Sequence, residues 1–300
     1  MKKMRIILTG IVMLATVWKM QAQTQTKSGN EFTIPLSDPS KRGMLKAHVN
    51  YGSITIKGTA RKDVLVKYSE AKEEDEEQQD ERDERDHKRR IDVKVNLNVN
   101  RNDGGSDSNN GLKKISGSGL ELDASENNNV IKVSSDSWNN KTNLEIEVPA
   151  GMDLTVGAYN DGDIIITNIE GEVELNSYNG PITALNISGS VVATTYNGDL
   201  KVTFDKVSDG KPMSYSTYNG DVDLTFPATA KATFKMKTER GDIYTGFDMN
   251  VTSSGPVKQQ DSKSGGYKLK IDEWKRGDIN GGGAEFTLKN YNGDIYIRKR

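Results

Sequence analysis

Residues 178–204 read YNGPITALNISGSVVATTYNGDLKVTF. This stretch contains the turn Tyr-Asn-Gly twice, at 178–180 and at 196–198, with a Ser-Gly-Ser turn between the two copies. Apolar and β-branched residues alternate with polar ones between the turns, which predicts short β-strands. Asn-Gly adopts positive φ at little steric cost and therefore marks chain reversals. The stretch predicts two strands for each copy of the turn.

The same turn recurs along the chain as an internal repeat. Complete or nearly complete copies are Tyr159–Gly162, Tyr178–Gly180, Tyr196–Gly198, Tyr218–Gly220 and Tyr291–Gly293. Tyr51-Gly52 is a shortened copy, and two Arg-Gly-Asp-Ile stretches, at 240–243 and 276–279, keep only the later part. One unit is too short to bury its own apolar face, whereas stacked neighbours can share a core. We therefore expect an all-β parallel β-helix or β-solenoid with rungs of about 18–22 residues.

An antiparallel β meander or sandwich is the alternative, because Asn-Gly between alternating strands is also the strongest signal for a type I′ hairpin. The regular return of one turn at a nearly fixed interval favours the solenoid. Stacked rungs would align the Tyr, Asn and Gly side chains in columns. A meander has less reason to repeat one side chain at alternate turns.

The segment Leu144–Pro149 and the strands from Gly157 to Phe226 resemble the DUF4097 family of exported β-strand-repeat proteins, whose members are described as adhesin-like. A weaker similarity continues to Arg300, and Phe32–Pro35 and Gly52–Ile56 are similar in kind. The resemblance implies a β-solenoid-like fold outside the cytoplasm, with no known catalytic residues.

The composition argues against several classes of function. Among 300 residues, 41 are Lys or Arg and 43 are Asp or Glu, so the net charge of −2 gives no basic excess for nucleic acid. The absence of cysteine excludes disulfides, Cys-zinc sites, iron–sulfur clusters and thiol catalysis. His48 and His87 are the only histidines, which leaves few candidates for a His-based catalytic triad. We expect no cofactor, no metal site and no enzymatic activity.

The N-terminus is typical of a secretory signal peptide at residues 1–22. Lys2, Lys3 and Arg5 precede an apolar run at 6–17, and small Ala22 precedes Gln23 at the predicted cleavage site. The run is shorter than the roughly 20 residues that span a bilayer. The sequence therefore predicts export to the periplasm, the cell surface or the medium, with no transmembrane segment in the mature chain.

Two regions are expected after the signal. Residues 23–143 form an N-terminal β region and residues 144–300 the β-repeat domain. The first region includes a charged loop at 70–90, with eleven acidic and six basic residues, a strand at 91–99 and a flexible loop at 102–119. We expect Glu285–Arg300 to close the array, with its terminal Arg and Lys residues protecting the edge.

The tyrosines of the repeat are the candidate ligand strip: Tyr159, Tyr178, Tyr196, Tyr218 and Tyr291. Exposed, they would offer flat faces and hydroxyls to sugar rings or to a protein. Packed, they would fix the register between rungs.

The acidic residues of the turns would also stack, at roughly 4.8 Å: Asp163, Asp199, Asp221, Asp242, Asp278 and Asp294. Calcium could relieve their repulsion, but solvent and nearby lysines are the simpler answer. The repeat itself explains Gly-Asp in both Arg-Gly-Asp triplets, so neither triplet indicates a recognition site.

These observations predict a non-enzymatic, adhesin-like protein of the cell envelope or surface, which binds an unknown protein or polysaccharide through a repetitive β surface. One alternative is a periplasmic component of envelope-stress sensing. A second is a carbohydrate-active β-helix enzyme, since 43 acidic residues leave room for a catalytic carboxylate pair.

Overall fold

A computed structural model describes residues 30–71, 121–208, 210–253, 257–260, 267–270 and 274–300. All regular elements in these residues are β-strands, with no helix. The predicted signal peptide and its cleavage site at Ala22-Gln23 lie outside the described residues. So do the strand at 91–99, the loop at 102–119 and the charged loop after Ala71; Glu70 and Ala71 themselves belong to a strand.

The strands are β1 (Glu31–Pro35), β2 (Met44–Tyr51), β3 (Ile54–Thr59), β4 (Asp63–Ala71), β5 (Asp123–Asn127), β6 (Val130–Ser135), β7 (Lys141–Pro149), β8 (Asp153–Asn160), β9 (Ile164–Thr167), β10 (Glu172–Asn179), β11 (Ile182–Ile187), β12 (Ser190–Asn197), β13 (Leu200–Phe204), β14 (Met213–Asn219), β15 (Val222–Phe226), β16 (Ala232–Arg240), β17 (Ile243–Thr245), β18 (Asn250–Ser253), β19 (Val257–Gln260), β20 (Tyr267–Lys270), β21 (Lys275–Ile279), β22 (Ala284–Asn292) and β23 (Ile295–Lys299).

Two large sheets contain nearly all of these strands. Sheet A has the order β1-β4-β7-β3-β9-β11-β13-β15-β23-β17, and sheet B has the order β18-β21-β16-β22-β14-β12-β10-β8-β2-β6-β5. Pairing is parallel through the middle of both sheets and antiparallel only at their ends and in the separate β19–β20 pair. The β-solenoid prediction is confirmed, and the antiparallel alternative is wrong for the repeats.

Each rung consists of one strand of sheet B followed by one strand of sheet A. Across the described residues, the rungs stack in the order β6–β7, β2–β3, β8–β9, β10–β11, β12–β13, β14–β15, β22–β23, β16–β17. The rung 284–299 therefore lies between the rungs 213–226 and 232–245. The prediction that the C-terminal strand closes the array is wrong, because β23 is paired on both sides, with β15 and β17.

Strands from both predicted regions share the two sheets. β2 and β3 pair with β8 and β9 on one side and with β6 and β7 on the other. The boundary at residue 144 falls inside β7. The division into two regions stays a prediction.

The core lies between the two sheets and follows from the alternation in the sequence. In β10, Val173 and Leu175 point inward and are buried, whereas the residues beside them are exposed. The same alternation buries a cluster of aromatic rings near the C-terminal rungs, Phe204, Phe226, Phe234 and Phe286, with ring centroids 5.2–5.8 Å apart. Burial of each such ring contributes about 1.5–3 kcal/mol.

The turns of the repeat bring backbones into direct contact. Gly220 has a φ of +132°, and a Cβ at this position would lie 2.3 Å from the carbonyl oxygen of Gly198 in the rung below. Gly198 has the same relation to Gly180, at 2.5 Å. Only glycine fits these turns, which explains its recurrence in the sequence.

Candidate binding groove on sheet B

The five repeat tyrosines form one continuous stack along an edge of sheet B's outer face, which we call the tyrosine column: Tyr159, Tyr178, Tyr196, Tyr218 and Tyr291. Neighbouring ring centroids are 4.6–5.1 Å apart and the ring planes are within 7° of parallel. The first four side chains are 38–44% exposed. The spacing follows from the parallel register, which places each tyrosine beside the next.

Stacking changes what the column can offer to a ligand. Because the ring faces cover one another, the strip of free faces that the sequence suggested for sugar rings is not formed. Ring edges and hydroxyl groups face solvent instead, repeated at the strand spacing. No hydroxyl of the column forms a hydrogen bond within the described residues, so each is available to a partner as donor and acceptor.

Both ends of the column are closed by other side chains. Trp138 packs edge-on against Tyr159, with centroids 5.1 Å apart, and the guanidinium of Arg240 lies 5.5 Å from the centre of the Tyr291 ring. Tyr51 does not belong to the column, because it pairs with Asn160 in the neighbouring strand. The shortened copy of the repeat is thus shifted by one position, a change that the sequence pattern did not indicate.

A ladder of asparagine side chains runs beside the tyrosine column: Asn160, Asn179, Asn197, Asn219 and Asn292. Each amide Nδ2 donates to the Oδ1 of the preceding rung, at 2.7–3.3 Å. We call this the asparagine ladder. It explains why Asn recurs in the turns although none of the ladder residues has positive φ.

The turn aspartates are bound by backbone amides. The carboxylate of Asp199 accepts from the amide of Asp221, Asp221 accepts from the amide of Asp294, and Asp294 accepts from the amide of Asp242, at 2.8–2.9 Å. In the first turn the Asp163 amide donates to the Ser53 hydroxyl at 3.2 Å. These bonds favour the stacked carboxylates without requiring a cation.

Asp278 does not belong to this series. It lies in the antiparallel strand β21, where its carboxylate accepts from the Thr233 hydroxyl at 2.6 Å. Arg276 of the same triplet pairs with Glu285 at 2.9 Å. The prediction that the repeat places Arg-Gly-Asp 276–278 in a turn is therefore wrong, whereas Arg240-Gly241-Asp242 does occupy a turn between β16 and β17.

A shallow groove follows the inner side of the tyrosine column across sheet B. Tyrosine edges form one wall, and small outward residues form the floor: Gly157, Thr194 and Ser216, which occupy one row of the sheet. Two depressions of about 510 Å³ and 450 Å³ meet at Ser177 and Tyr178 and form one groove. We call it the tyrosine groove. Sequence reasoning identified its wall but not its floor, because the floor is defined only by the register.

The two ends of the tyrosine groove carry positive charge. Lys46 and Lys132, together with His48, lie at one end, and Lys289 lies at the other. All four side chains are exposed. The middle of the floor is uncharged.

A second, shorter aromatic stack lies on the outer face of sheet A. Tyr244 and Tyr296 are 5.1 Å apart, and Arg298 lies over Tyr296 while its Nε donates to Asp223 at 2.8 Å. The Tyr296 hydroxyl donates to the Asp294 carboxylate, and this bond raises the pKa of Tyr296 to about 12. The sequence analysis missed this pair, although both tyrosines follow Gly-Asp-Ile.

Among the described residues, no group of three or more His, Asp or Glu side chains is arranged to hold a metal ion. The same part of the chain contains no helix that is long and apolar enough to cross a lipid bilayer.

Comparison with known proteins places this architecture in a family. No curated protein shows a significant sequence match to the chain. One similar solved structure is a proposed cell adhesion protein from Clostridium sporogenes, with 11% identity, a TM-score of 0.41, and coverage of 90% of this chain and 99% of that one. Another is a proposed adhesin from Bacteroides fragilis, with 12% identity, a TM-score of 0.36, and coverage of 89% and 95%. The family model named Toastrack DUF4097 matches residues 21–281, and the chain belongs to that family.

Proposed function

We propose that the protein is a non-enzymatic, adhesin-like component of the cell envelope or surface, which binds an extended polymer along the tyrosine groove. The observation that carries this proposal is the continuity of the groove. Its wall repeats one side chain across five adjacent strands, from Tyr159 to Tyr291, a distance of roughly 20 Å at the strand spacing.

The shape of the groove supports a long ligand rather than a compact one. The groove is open and shallow, and its repeated hydroxyls and small polar floor residues offer the same weak contacts at each rung. Such contacts gain strength by being made together, since each binding event raises the effective concentration for the next. A protein strand or a polysaccharide chain of the envelope has the repeat that this arrangement fits.

The environment of the turn carboxylates supports a binding rather than a catalytic role. Asp199, Asp221 and Asp294 accept backbone amides of the next turn. Each of these carboxylates therefore joins one turn to the next, which is a structural role in the stack of rungs.

The proposal includes export, which the basic and apolar N-terminal segment with Ala22 and Gln23 supports. The destination is the periplasm, the cell surface or the medium. Brief trypsin treatment of intact cells distinguishes the first two: cleavage at the Arg and Lys residues of 82–90 on intact cells supports adhesion. Cleavage only after the outer envelope is opened supports a periplasmic role such as stress sensing.

The groove is tested with bulky charged side chains on its floor. Thr194→Arg with Ser216→Arg fills the floor of two adjacent strands, and Thr203→Arg with Thr225→Arg is the matched pair of direct partners on the outer face of sheet A. Binding of the purified protein to envelope fragments is measured by co-sedimentation. We expect the first pair to weaken binding about tenfold or more, which corresponds to about 1.4 kcal/mol, and the second to leave it unchanged. Equal binding by both variants would contradict the proposal.

A further inference from the structure

We propose that the end of the tyrosine groove near Gly157 is a subsite for the anionic group of an acidic polysaccharide. This inference rests on the proposed function, because it assigns a ligand class to the same groove. The subsite, here called the Gly157 notch, is formed by Lys46, His48, Lys132, Gly157 and Tyr159.

Among the described residues, the positive charge at the notch has no counter-charge directly beside it in its row of the sheet. Lys46 and Lys132 are direct partners in the parallel strands β2 and β6, and both are exposed. Their outer neighbours in the same row are Thr155 and Ser125, which are uncharged. Like charges directly opposite one another destabilise a sheet. An anion bound between the two ammonium groups would remove this repulsion.

Two other lysines on this face of sheet B have different surroundings. Lys237 pairs with Glu239 at 2.7 Å, and Lys235 lies 4.7 Å from the centre of the Trp274 ring. The first carboxylate in the row of Lys46 is Glu174, two strands away, where it accepts from the Asn176 amide at 3.3 Å. On the other side, the exposed Asp123 lies diagonal to Lys132 on β5. Neither lysine of the notch forms an ion pair among the described residues, so the pair remains available to a ligand.

The missing side chain at Gly157 shapes the floor of the notch. This residue lies between His48 and Asn176 in one row of the sheet, and its backbone has no positive φ that would require glycine. A Cβ here would lie 2.8 Å from His48 Nδ1, so the imidazole ring covers part of the position that a side chain would fill. The glycine thus makes room for the His48 ring at the floor next to the two lysines.

The remaining groups of the notch match sugar hydroxyls. The Nε2 of His48 lies 2.9 Å from the Oδ1 of Asn50, an acceptor, which makes Nε2 the donor and leaves Nδ1 as an acceptor in the neutral ring. Asn176, Tyr159 and Tyr178, which carry an amide and two hydroxyls, also line the cavity of the notch. A sugar acid supplies both chemistries, an anion for the lysines and hydroxyls for the polar groups. The floor of Thr194 and Ser216 then continues beneath further sugar units.

The test uses the full mature chain and three probes of similar length: an oligogalacturonate, a neutral oligomer of glucose and polyglutamate. Binding is measured by titration calorimetry at two salt concentrations. The variants are Lys46→Gln with Lys132→Gln, which removes the charge, and Gly157→Thr, whose side chain would displace the His48 ring within the notch. Matched controls are Lys57→Gln with Lys67→Gln on sheet A, and Gly151→Thr, where a Cβ meets no atom within 4 Å.

We expect the oligogalacturonate to bind the unaltered protein, to bind both notch variants about tenfold more weakly or worse, and to bind the control variants unchanged. Binding should weaken as salt rises, because the lysines are exposed. Thermal melting identifies any variant that fails to fold. Because the two notch variants act by different means, one of them that folds is sufficient for the test.

Three outcomes would overturn the inference: no binding of the oligogalacturonate, equal binding of the neutral oligomer, or polyglutamate binding that is equally strong and equally lost in the notch variants. The last outcome would identify an acidic protein as the partner. If any of these occurs while Thr194→Arg with Ser216→Arg still abolishes binding to envelope fragments, the subsite fails and the proposed function stands. If the floor variant retains envelope binding, the proposed function fails as well.

Discussion

Between Asp153 and Phe226 the chain adds one rung after another in sequence order, whereas its last two rungs, 232–245 and 284–299, stack in reverse order. The later rung is inserted next to β14–β15, and the earlier one lies outside it. Asn292 consequently bonds to Asn219, although the two are distant in the sequence.

The turn motifs explain the difference between the two regions. The rung 284–299 carries the complete set Tyr291-Asn292-Gly293-Asp294, so it continues the tyrosine column, the asparagine ladder and the amide bonds of the turn aspartates. The rung 232–245 has Glu239-Arg240 in place of Tyr-Asn, and Arg240 closes the column on the Tyr291 ring. The side chains of the turn, rather than the order along the chain, determine which rung extends the stack.

The largest effect is expected at the turn glycines, where the sequential region depends on direct backbone contact. Gly220→Ala should lower the free energy of unfolding by about 3 kcal/mol or more, because its positive φ disfavours a side chain and its Cβ would overlap the Gly198 carbonyl. Gly151→Ala, in an open turn, should change it by less than about 0.5 kcal/mol. Denaturant unfolding measures both. Similar small losses would mean that the rungs can separate without cost.

A smaller loss is expected in the asparagine ladder. Asn219→Ala removes one bond to Asn197 and one from Asn292, each 2.7 Å long, so the Oδ1 of Asn197 and the Nδ2 of Asn292 lose their ladder partner. The free energy of unfolding should fall by about 2 kcal/mol. Asn176→Ala, an exposed residue of β10 outside the ladder, serves as the control and should be nearly neutral. Equal values for the two variants would show that the ladder does not connect the regions.

Each tyrosine of the column should contribute less to the free energy of unfolding than a ladder asparagine does. A tyrosine in the middle of the column should contribute more than one at its end. Tyr196 has a stacked ring on both sides, whereas Tyr159 has one stacked ring and one edge contact. Tyr196→Ala should cost about 1.5 kcal/mol. Tyr196→Phe keeps the stack and should cost almost nothing, while it removes one hydroxyl from the groove wall. If Tyr196→Phe were as costly as Tyr196→Ala, the stacking account would be wrong.

The smallest effect concerns Tyr215, which lies beneath the inserted rung beside Leu288. Burial raises the pKa of Tyr215 well above its usual value, since the charged form is not solvated there. The Tyr215 side chain ionises near pH 10 in the unfolded chain and only at a higher pH in the folded chain. Stability is therefore fully present below pH 10 and falls as the pH rises above it.

Tyr215→Phe should be within about 0.5 kcal/mol of the unaltered protein at pH 7 and should lose less stability between pH 9 and pH 11. Unfolding by denaturant at each pH measures the difference. Tyr244 and Tyr296 also have raised pKa values. Both are present in the two proteins, so their contributions to the pH dependence cancel in the comparison. Parallel curves for the two proteins would contradict the burial of Tyr215 under β22.

The sequence predicted the part of the fold in which local pattern and spatial order coincide. The nearly constant spacing from Tyr159 to Tyr218 was sufficient to predict parallel stacking and the tyrosine column. The motif also assigned Tyr291 to the column, but the spacing could not place its rung next to β14–β15, because that rung is distant in sequence and the intervening rung lacks the motif. Asp278 was misplaced for a related reason, since Gly-Asp-Ile also fits an antiparallel strand.

The candidate site was predicted only in part for the same reason. Tyrosines recur at a fixed phase and are visible in the sequence. The pairing of Lys46 with Lys132 depends on register between strands that are far apart in the sequence, and so does the position of Gly157 beside His48. Neither feature produces a pattern that can be recognised in the local sequence.

The order of the rungs is the central claim, because the tyrosine groove reaches Lys289 only if β22 lies next to β14. In the parallel register, Lys289 is the partner of both Ser216 and Lys237, which places Lys237 two strands from Ser216. The chain has no cysteine, so a disulfide between two introduced cysteines can be detected without interference. Under mild oxidation we predict a disulfide in Ser216→Cys with Lys289→Cys and none in Ser216→Cys with Lys237→Cys, because strands two apart exceed the roughly 7 Å limit between Cα atoms. The reverse result would show that the rungs stack in sequence order and would contradict the account.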